Sequence, residues 1–354
     1  SWEDDLKSLL IRGNLESLNV STVETVADES NIDDEEMLPP KPEKYSVTLT
    51  AVGDIMMHDG QIWAGYDEST KAFDYSEFFQ DVKEYISAAD ISICNIETTF
   101  GGRERKFTGY PMFSSPDELA DAIKNAGFDV AITSNNHCMD RGEKGVIRTI
   151  NVLNERGIFT VGTNLSPEER KEVRIIEAND IKIALLAYTY GTNGIPVPED
   201  KPYLVNLIDE KRMLNDIYVA RQKADAVVIY LHFGQEYQRT PSAEQKRLAN
   251  LLLEKGADVV IGSHPHVLQP GEWVSVKEGD EEIKNKYIAY SLGNFISAQR
   301  YPYTEEGVIL KIILEKDNIK NTVTVAGVEE IGTWVDKFKR DGKMRYIVRL
   351  GGKN

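Results

Sequence analysis

Five apolar runs in this 354-residue chain each end in a short polar block, and all five histidines fall in four of those blocks. The blocks are TAVGDIMMH (His58), ISICNIE (no histidine), AITSNNH (His137), VVIYLHFGQE (His232) and VVIGSHPH (His264, His266). Continuous apolar runs of this length read as strands covered on both faces. Strand ends that share one edge of a sheet place their loops side by side. Histidine, carboxylate and asparagine oxygen gathered there are the ligand types of a hard-to-borderline divalent metal.

The rest of the chain suits that arrangement. Residues 1–12 read as a short amphipathic helix, and residues 13–44 as an acidic linker ending in MLPPKPEK. Order is expected from Tyr45 onward, in one domain spanning 45–354. Strand SVTLTAVG is followed by helix YSEFFQDVKEYISA and strand ISICN. The next helix has Ser115 as cap and Pro116 at its first position, and ends at Gly127. FDVAITS, GEKGVIRTINVLNERG and IFTVGT continue the strand–helix alternation. Residues 173–187 predict a hairpin around Asn179-Asp180. A helix at about 206–223 leads to strand DAVVIYLH, helix TPSAEQKRLANLLLEKG and strand DVVIGS. From about residue 272, mostly strands follow: EWVSV, KYIAYSL, GVILKIIL, TVTVAGV and RYIVRL. Two sheets face to face with helices outside fit this order.

Each block has a bland reading beside the chemical one. Asp54, behind Gly53, is either a turn cap or a strand-end ligand. His58 is either a ligand or a neighbour of the site. Glu97 follows a buried strand in the same form as the other blocks. Asn136 offers an amide oxygen, while His137 beside it suits a proton donor whose tautomer Asp140 would fix. His232 closes an apolar strand. His264 and His266 flank Pro265, which stiffens the turn between them. Arg103, Arg105 and Lys106 are candidate contacts for an anionic substrate. Asn294 and Arg300, after the strand KYIAYSL, are further candidates, and Tyr188 and Tyr190 read as rim packing. Cys94 and Cys138 read as buried small hydrophobes and form no disulfide framework.

Taken in order, GDIMMH, CNIE, AGFDVAITSNNHCMDRGEKG, GSHPHVLQ and YSLGNFI resemble the bacterial capsule-synthesis CapA family. The wider series Asp…Glu…Asn-His…His…His-x-His resembles the calcineurin-like metallophosphoesterases. The resemblance implies an α/β fold, a four-layer αββα sandwich of two mixed sheets. It implies one or two divalent ions (Mn, Fe, Zn or Mg). Asp54 and His266 would hold one ion, with His58 open. Asn136, His232 and His264 would hold the other, Glu97 would bridge, and His137 would donate a proton. The chain departs from the phosphoesterase pattern in three places: three residues separate Asp54 from His58, Glu97 replaces an aspartate, and Ser-Asn-Asn-His replaces Gly-Asn-His.

The same resemblance implies a role in poly-γ-glutamate capsule synthesis or export. The alternative is a metal-dependent hydrolase of phosphoester or amide bonds on an anionic envelope substrate. Expected partners are poly-γ-glutamate or another anionic polymer and other capsule-synthesis membrane proteins. The expected place is the extracellular face of the membrane, held by an N-terminal segment absent from this chain. A net charge of −17 argues against nucleic acid as a partner. Residues 1–44 carry 12 acidic and 4 basic side chains, so a net of −8 sits in that stretch.

Overall fold

A computed structural model describes residues 43–278 and 282–352. The helix expected at 1–12 and nearly all of the linker expected at 13–44 lie outside the described residues. In chain order the elements are β1 (Lys44–Ile55), α1 (Asp59–Ala64), β2 (Tyr66–Asp67), β3 (Ala72–Phe73), α2 (Lys83–Ser87), β4 (Ile91–Ile96), α3 (Glu118–Ala126) and β5 (Val130–Ile132). Next come α4 (Gly142–Asn154), β6 (Phe159–Val161), α5 (Pro167–Lys171), β7 (Arg174–Ala178), β8 (Ile181–Thr189), α6 (Glu210–Arg221), β9 (Ala226–His232) and α7 (Ala243–Glu254). The last are β10 (Val259–Ser263), β11 (Leu268–Glu278), β12 (Glu282–Leu292), β13 (Asn294–Ile296), β14 (Glu306–Asp317), β15 (Thr322–Arg340) and β16 (Lys343–Leu350).

Two mixed sheets carry the fold. One runs β16-β15-β14-β1-β4-β5-β6, with β13 also paired to β1; the other runs β11-β12-β10-β9-β8-β7. The strands bearing the blocks are parallel neighbours: β1 with β4, β4 with β5, and β9 with β10. Their C-terminal ends therefore lie along a common edge of each sheet.

Alternation of side chains along each strand sorts the apolar residues into layers. Leu49, Ala51, Ile91 and Ile93 of the first sheet pack with Leu185, Val228, Tyr230, Val259 and Ile261 of the second. The outer face of the first sheet (Val52, Ile55, Cys94, Ile96) meets Ile62, Leu119, Ile123 and Leu153 of the helices. The outer face of the second (Val227, Ile229, Leu231, Val260) meets Ile217, Leu248 and Leu252. The result is the expected four-layer αββα sandwich.

Two local expectations needed revision and a third held. The helix expected over YSEFFQDVKEYISA is a 3₁₀ turn at Ser76–Phe79 followed by the short α2. The backbone tightens where Phe79 stacks on Phe295 and meets Phe128 edge-on. The helix expected from Pro116 begins at Glu118 but ends at Gly127 as expected, in the left-handed conformation. The hairpin at Asn179-Asp180 is present, with both residues at positive φ. Cys94 and Cys138 are buried free thiols.

Candidate metal centre

The inter-sheet core ends in a polar cluster because the strand period carries polar residues onto the same face. On β9, Val228 and Tyr230 face the inter-sheet core, so His232, two residues on, emerges at its edge. On β10, Val259 and Ile261 face inward, and Ser263 follows them. On β4, Ile93 is followed on the same face by Asn95. Asp54 reaches this face only through a break in register. Four residues of β1, from Ala51 to Asp54, oppose three of β4, from Ile93 to Asn95. Such a bulge re-aims the side chain that follows it. Gly53 sits inside it, where a Cβ would lie 1.9 Å from the Gly293 carbonyl oxygen. Asp54 N–H donates to that same carbonyl at 3.0 Å.

Asp54 is fully buried. Its Oδ1 accepts from Asn95 Nδ2 at 2.8 Å, and its Oδ2 lies 3.0 Å from His266 Nδ1. Burial disfavours its charge, but His266, the nearby His232 and the Asn95 amide outweigh that and hold the carboxyl well below its usual range. His266 Nδ1 is also 3.0 Å from Asn294 Oδ1. Asn294 Nδ2 donates to Gln299 Oε1 and the Thr304 carbonyl, so its Oδ1 is the accepting atom. The Nδ1 of His266 therefore carries the proton, and its Nε2 turns toward Glu97.

Glu97 is the centre of the cluster. It is fully buried, and neither carboxylate oxygen has a hydrogen-bond partner. Its Oε1 lies 3.7 Å from Nε2 of both His232 and His266. Burial first, and Asp54's charge second, push its pKa well above the usual carboxylate range. Buried polar groups in proteins are nearly always partnered, so a carboxylate held open between two imidazoles calls for a cation.

The second half is built around His232. Its Nδ1 lies 3.0 Å from Ser263 Oγ and its Nε2 lies 2.9 Å from Asn136 Oδ1. Asn136 Nδ2 donates to Asn193 Oδ1 at 3.1 Å, which fixes the direction of the amide. His264, with an unpartnered buried Nδ1, packs 4.8 Å from the His232 ring. Burial keeps both rings neutral, pushing His232 well below its usual range and His264 down to about 3. Neutral imidazole is the form that binds metal.

Among the described residues, three overlapping sets place His and carboxylate atoms within 4.8 Å of one another: Glu97/His232/His264, Asp54/Glu97/His266 and Glu236/His264/His266. The first two share Glu97. An unpartnered carboxylate shared between the His232/His264 pair and the Asp54/His266 pair has the chemistry of a divalent-metal site.

His137 sits beside this cluster. Its Nδ1 is 2.7 Å from Asp140 Oδ2, which also accepts the Phe113 N–H, and Asn193 Nδ2 lies 3.4 Å from its Nε2. Phe113 and Tyr110 meet the ring edge-on. His58 is in none of the three sets. Its Nδ1 contacts Gln61 Oε1 at 3.2 Å and the Ala298 N–H at 3.3 Å, and it starts α1. The long spacing from Asp54 lets α1 begin at His58 and takes its ring into that packing.

Of the basic residues expected to meet an anionic substrate, Arg103 and Arg105 are engaged outside the cluster. Arg103 pairs with Glu118 at 2.9 Å and covers the Phe73 and Phe107 rings. Arg105 donates to the Arg141 carbonyl. Lys106 and Arg300 are exposed. Arg103 and Arg105 line a surface cleft with Lys144 and Arg148. Tyr190 packs 4.6 Å from His264, as rim packing requires, whereas Tyr188 is buried and donates to Asp216. Asn193, Asn95, Ser263 and Glu236 were not singled out as site residues by the sequence. Asn95 and Ser263 lie at the ends of the recognised strands, but nothing in the loop GTNG marks Asn193.

Comparison with known proteins bears on this arrangement. The chain is 30% identical over 289 residues to "Capsule biosynthesis protein CapA" of Bacillus anthracis, covering 78% of this chain and 66% of that protein. It is 29% identical over 285 residues to "PGA biosynthesis protein CapA" of Bacillus subtilis, covering 78% of this chain and 71% of that one. The chain thus spans about two-thirds of the length of these relatives. Among solved structures it is similar to the calcineurin-like phosphoesterase YfkN of Bacillus subtilis, at 14% identity and a TM-score of 0.46, covering 82% of this chain and 90% of that one. Residues 48–299, well over half of the chain, match the family described as bacterial capsule synthesis protein PGA_cap, and the chain belongs to that family.

Proposed function

We propose that this protein acts in the synthesis or export of a poly-γ-glutamate capsule, and that it does so with a two-ion hydrolytic centre at the strand ends. Family membership and the names of the two relatives support the first part. The single observation that carries the second is Glu97, buried with both oxygens unpartnered between His232 and His266.

Glu97, Asn136, His232 and His264 would hold one ion, and Asp54, Glu97 and His266 the other. Two divalent ions held there would supply Lewis acidity for a scissile carbonyl or phosphoryl oxygen and a water acidic enough to serve as nucleophile near neutral pH. The protein's own groups prepare that chemistry. Asn95 and Asn294 hold Asp54 and His266 in place, and Ser263 orients His232. Asn193 turns the Asn136 oxygen inward. Asp140 holds the Nδ1 side of His137, so that the Nε2, once protonated, would be the nitrogen that passes a proton to the leaving group. The inter-sheet core seals the cluster from below.

The hydrolytic reading takes either a phosphoester or an amide, because both offer an oxygen to polarise and a leaving group to protonate. The polymer's own γ-amide links place the second option directly in the capsule role. In this reading the protein works at the outer membrane face, beside other capsule-synthesis membrane proteins, with residues 1–44 as an acidic spacer.

The test is turnover by the full chain loaded with Mn²⁺. Poly-γ-glutamate and a generic phosphodiester would be offered as substrates, with His137→Ala as control. Cleavage of either substrate that His137→Ala abolishes supports the reading. Turnover of neither, together with no measurable affinity for poly-γ-glutamate, removes it.

A further inference from the structure

We infer that Glu236 is a further ligand of this centre, adding a carboxylate on the solvent side beside His264 and His266 and so favouring a hard divalent ion there. The inference rests on the two-ion reading above and adds to it a residue from another loop.

Glu236 follows β9 in the block HFGQE. Its Oε1 lies 4.0 Å from His266 Nε2, the nitrogen that is 3.7 Å from Glu97 Oε1. Together with His264 and His266 it forms one of the three candidate ligand sets. An exposed carboxylate near an imidazole is ordinarily a weak surface pair. Three further observations separate this one from that case.

The first is how its loop is held. Phe233 N–H donates to the Ser263 carbonyl at 3.0 Å, and Tyr237 N–H donates to the Pro265 carbonyl at 2.8 Å. The loop carrying Glu236 is thus tied on both sides to the turn carrying His264 and His266. Tyr237, His264 and His266 all sit at positive φ, at +64°, +102° and +58°. Backbone held in that region by non-glycine residues is costly, and it clusters at binding sites. The second is the absence of competition, because the Glu236 side chain has no hydrogen bond among the described residues and points at the cluster from the solvent side. The third is independent of Glu236. The fully buried Glu97 oxygens are unpartnered by protein atoms, so the cluster calls for a cation whatever Glu236 does.

His58, meanwhile, is turned to Gln61, Ala298 and Phe113. Without it the half built on Asp54, Glu97 and His266 has one nitrogen ligand and two carboxylates. Glu236 adds a carboxylate oxygen beside His264 and His266, a hard ligand that suits Mn²⁺ or Mg²⁺ over softer ions. The other half, with His232, His264 and the Asn136 amide, is richer in nitrogen.

The test is calorimetric titration of the metal-free full chain with Mn²⁺, with Mn²⁺ electron paramagnetic resonance to count bound ions. Wild type should take up two ions. Glu236→Gln should keep one at wild-type affinity and weaken the other by roughly ten-fold or more, since even partners outside the first ligand shell carry about that much. His58→Ala should bind both ions as wild type does. Glu236 is on the surface, so an unchanged melting temperature in the metal-free state confirms that its variant is folded. The inference is overturned if Glu236→Gln binds both ions unchanged, or if His58→Ala is the variant that loses one. In those cases two ions on wild type would leave the two-ion reading standing. Wild type binding no ion would end both.

Discussion

Replacing Glu97 by glutamine should make the metal-free protein more stable and at the same time remove its response to metal. Glu97 is fully buried, has no hydrogen bond, and lies close enough to Asp54 for the two charges to oppose each other. Its folded-state pKa is raised above that of the unfolded chain. Between those two values the unfolded chain has lost the proton and the folded chain has kept it. Stability from this group is therefore fully present below the unfolded value and falls as pH rises toward the folded one. Each unit of separation corresponds to about 1.4 kcal/mol. Glutamine carries no charge, so the variant escapes this loss. Near neutral pH the metal-free variant should be the more stable protein, by about 1.4 kcal/mol for each unit of that separation lying below neutral. Near pH 4, close to the unfolded carboxyl value of about 4.3, the difference should vanish. Metal reverses the order. At a hundred-fold excess over the dissociation constant an ion adds about 2.7 kcal/mol to wild type, and the variant should gain far less. The assay is denaturant unfolding with and without Mn²⁺ across pH. The reasoning fails if metal-free Glu97→Gln is the less stable protein near neutral pH while keeping the full metal response.

Three further outcomes follow from the same geometry. Gly53→Ala drives a methyl group into the Gly293 carbonyl, 1.9 Å away; it should cost about 3 kcal/mol or more by overpacking, read as a lower denaturation midpoint, and a wild-type midpoint would refute the bulge argument. Asn193→Gly keeps the left-handed backbone but frees the Asn136 amide; affinity for one of two ions should drop by about ten- to a hundred-fold, and a titration identical to wild type would deny Asn193 its orienting role. Arg105→Glu with Lys144→Glu should weaken poly-γ-glutamate binding by about ten-fold and reduce its salt dependence, leaving metal uptake unchanged; binding equal to wild type would show that the polymer does not use this cleft.

The sequence is most legible where strand periodicity and chemistry coincide. The alternation Val228, Tyr230, His232 is enough to place the histidine at the end of a core face, and the same holds for Ile93 and Asn95. The two-sheet core and its outer helices follow from apolar runs too long and too continuous for a half-exposed sheet. What period alone misses is a change of period. Asp54 lies on the wrong side of strict alternation from Ala51, and only the bulge at Gly53 brings it inward. Contacts between distant loops are also hidden. Asn193 lies 57 residues from Asn136 in the chain, and no local pattern marks the bond between them. The helix expected over residues 75–88 had the right apolar spacing, but the packing of Phe79 on Phe295 decided the backbone there. Arg103 looked free in sequence because Glu118, its partner, lies on the next helix.

The central claim is that Glu97 is shared by two ions. Anomalous diffraction from crystals grown with Mn²⁺ tests it most directly. The account predicts two strong peaks flanking the Glu97 carboxylate, one toward Asp54 and His266, the other toward Asn136, His232 and His264. A map with no peak within ligand distance of Glu97, in crystals that hold Mn²⁺ elsewhere, would contradict it.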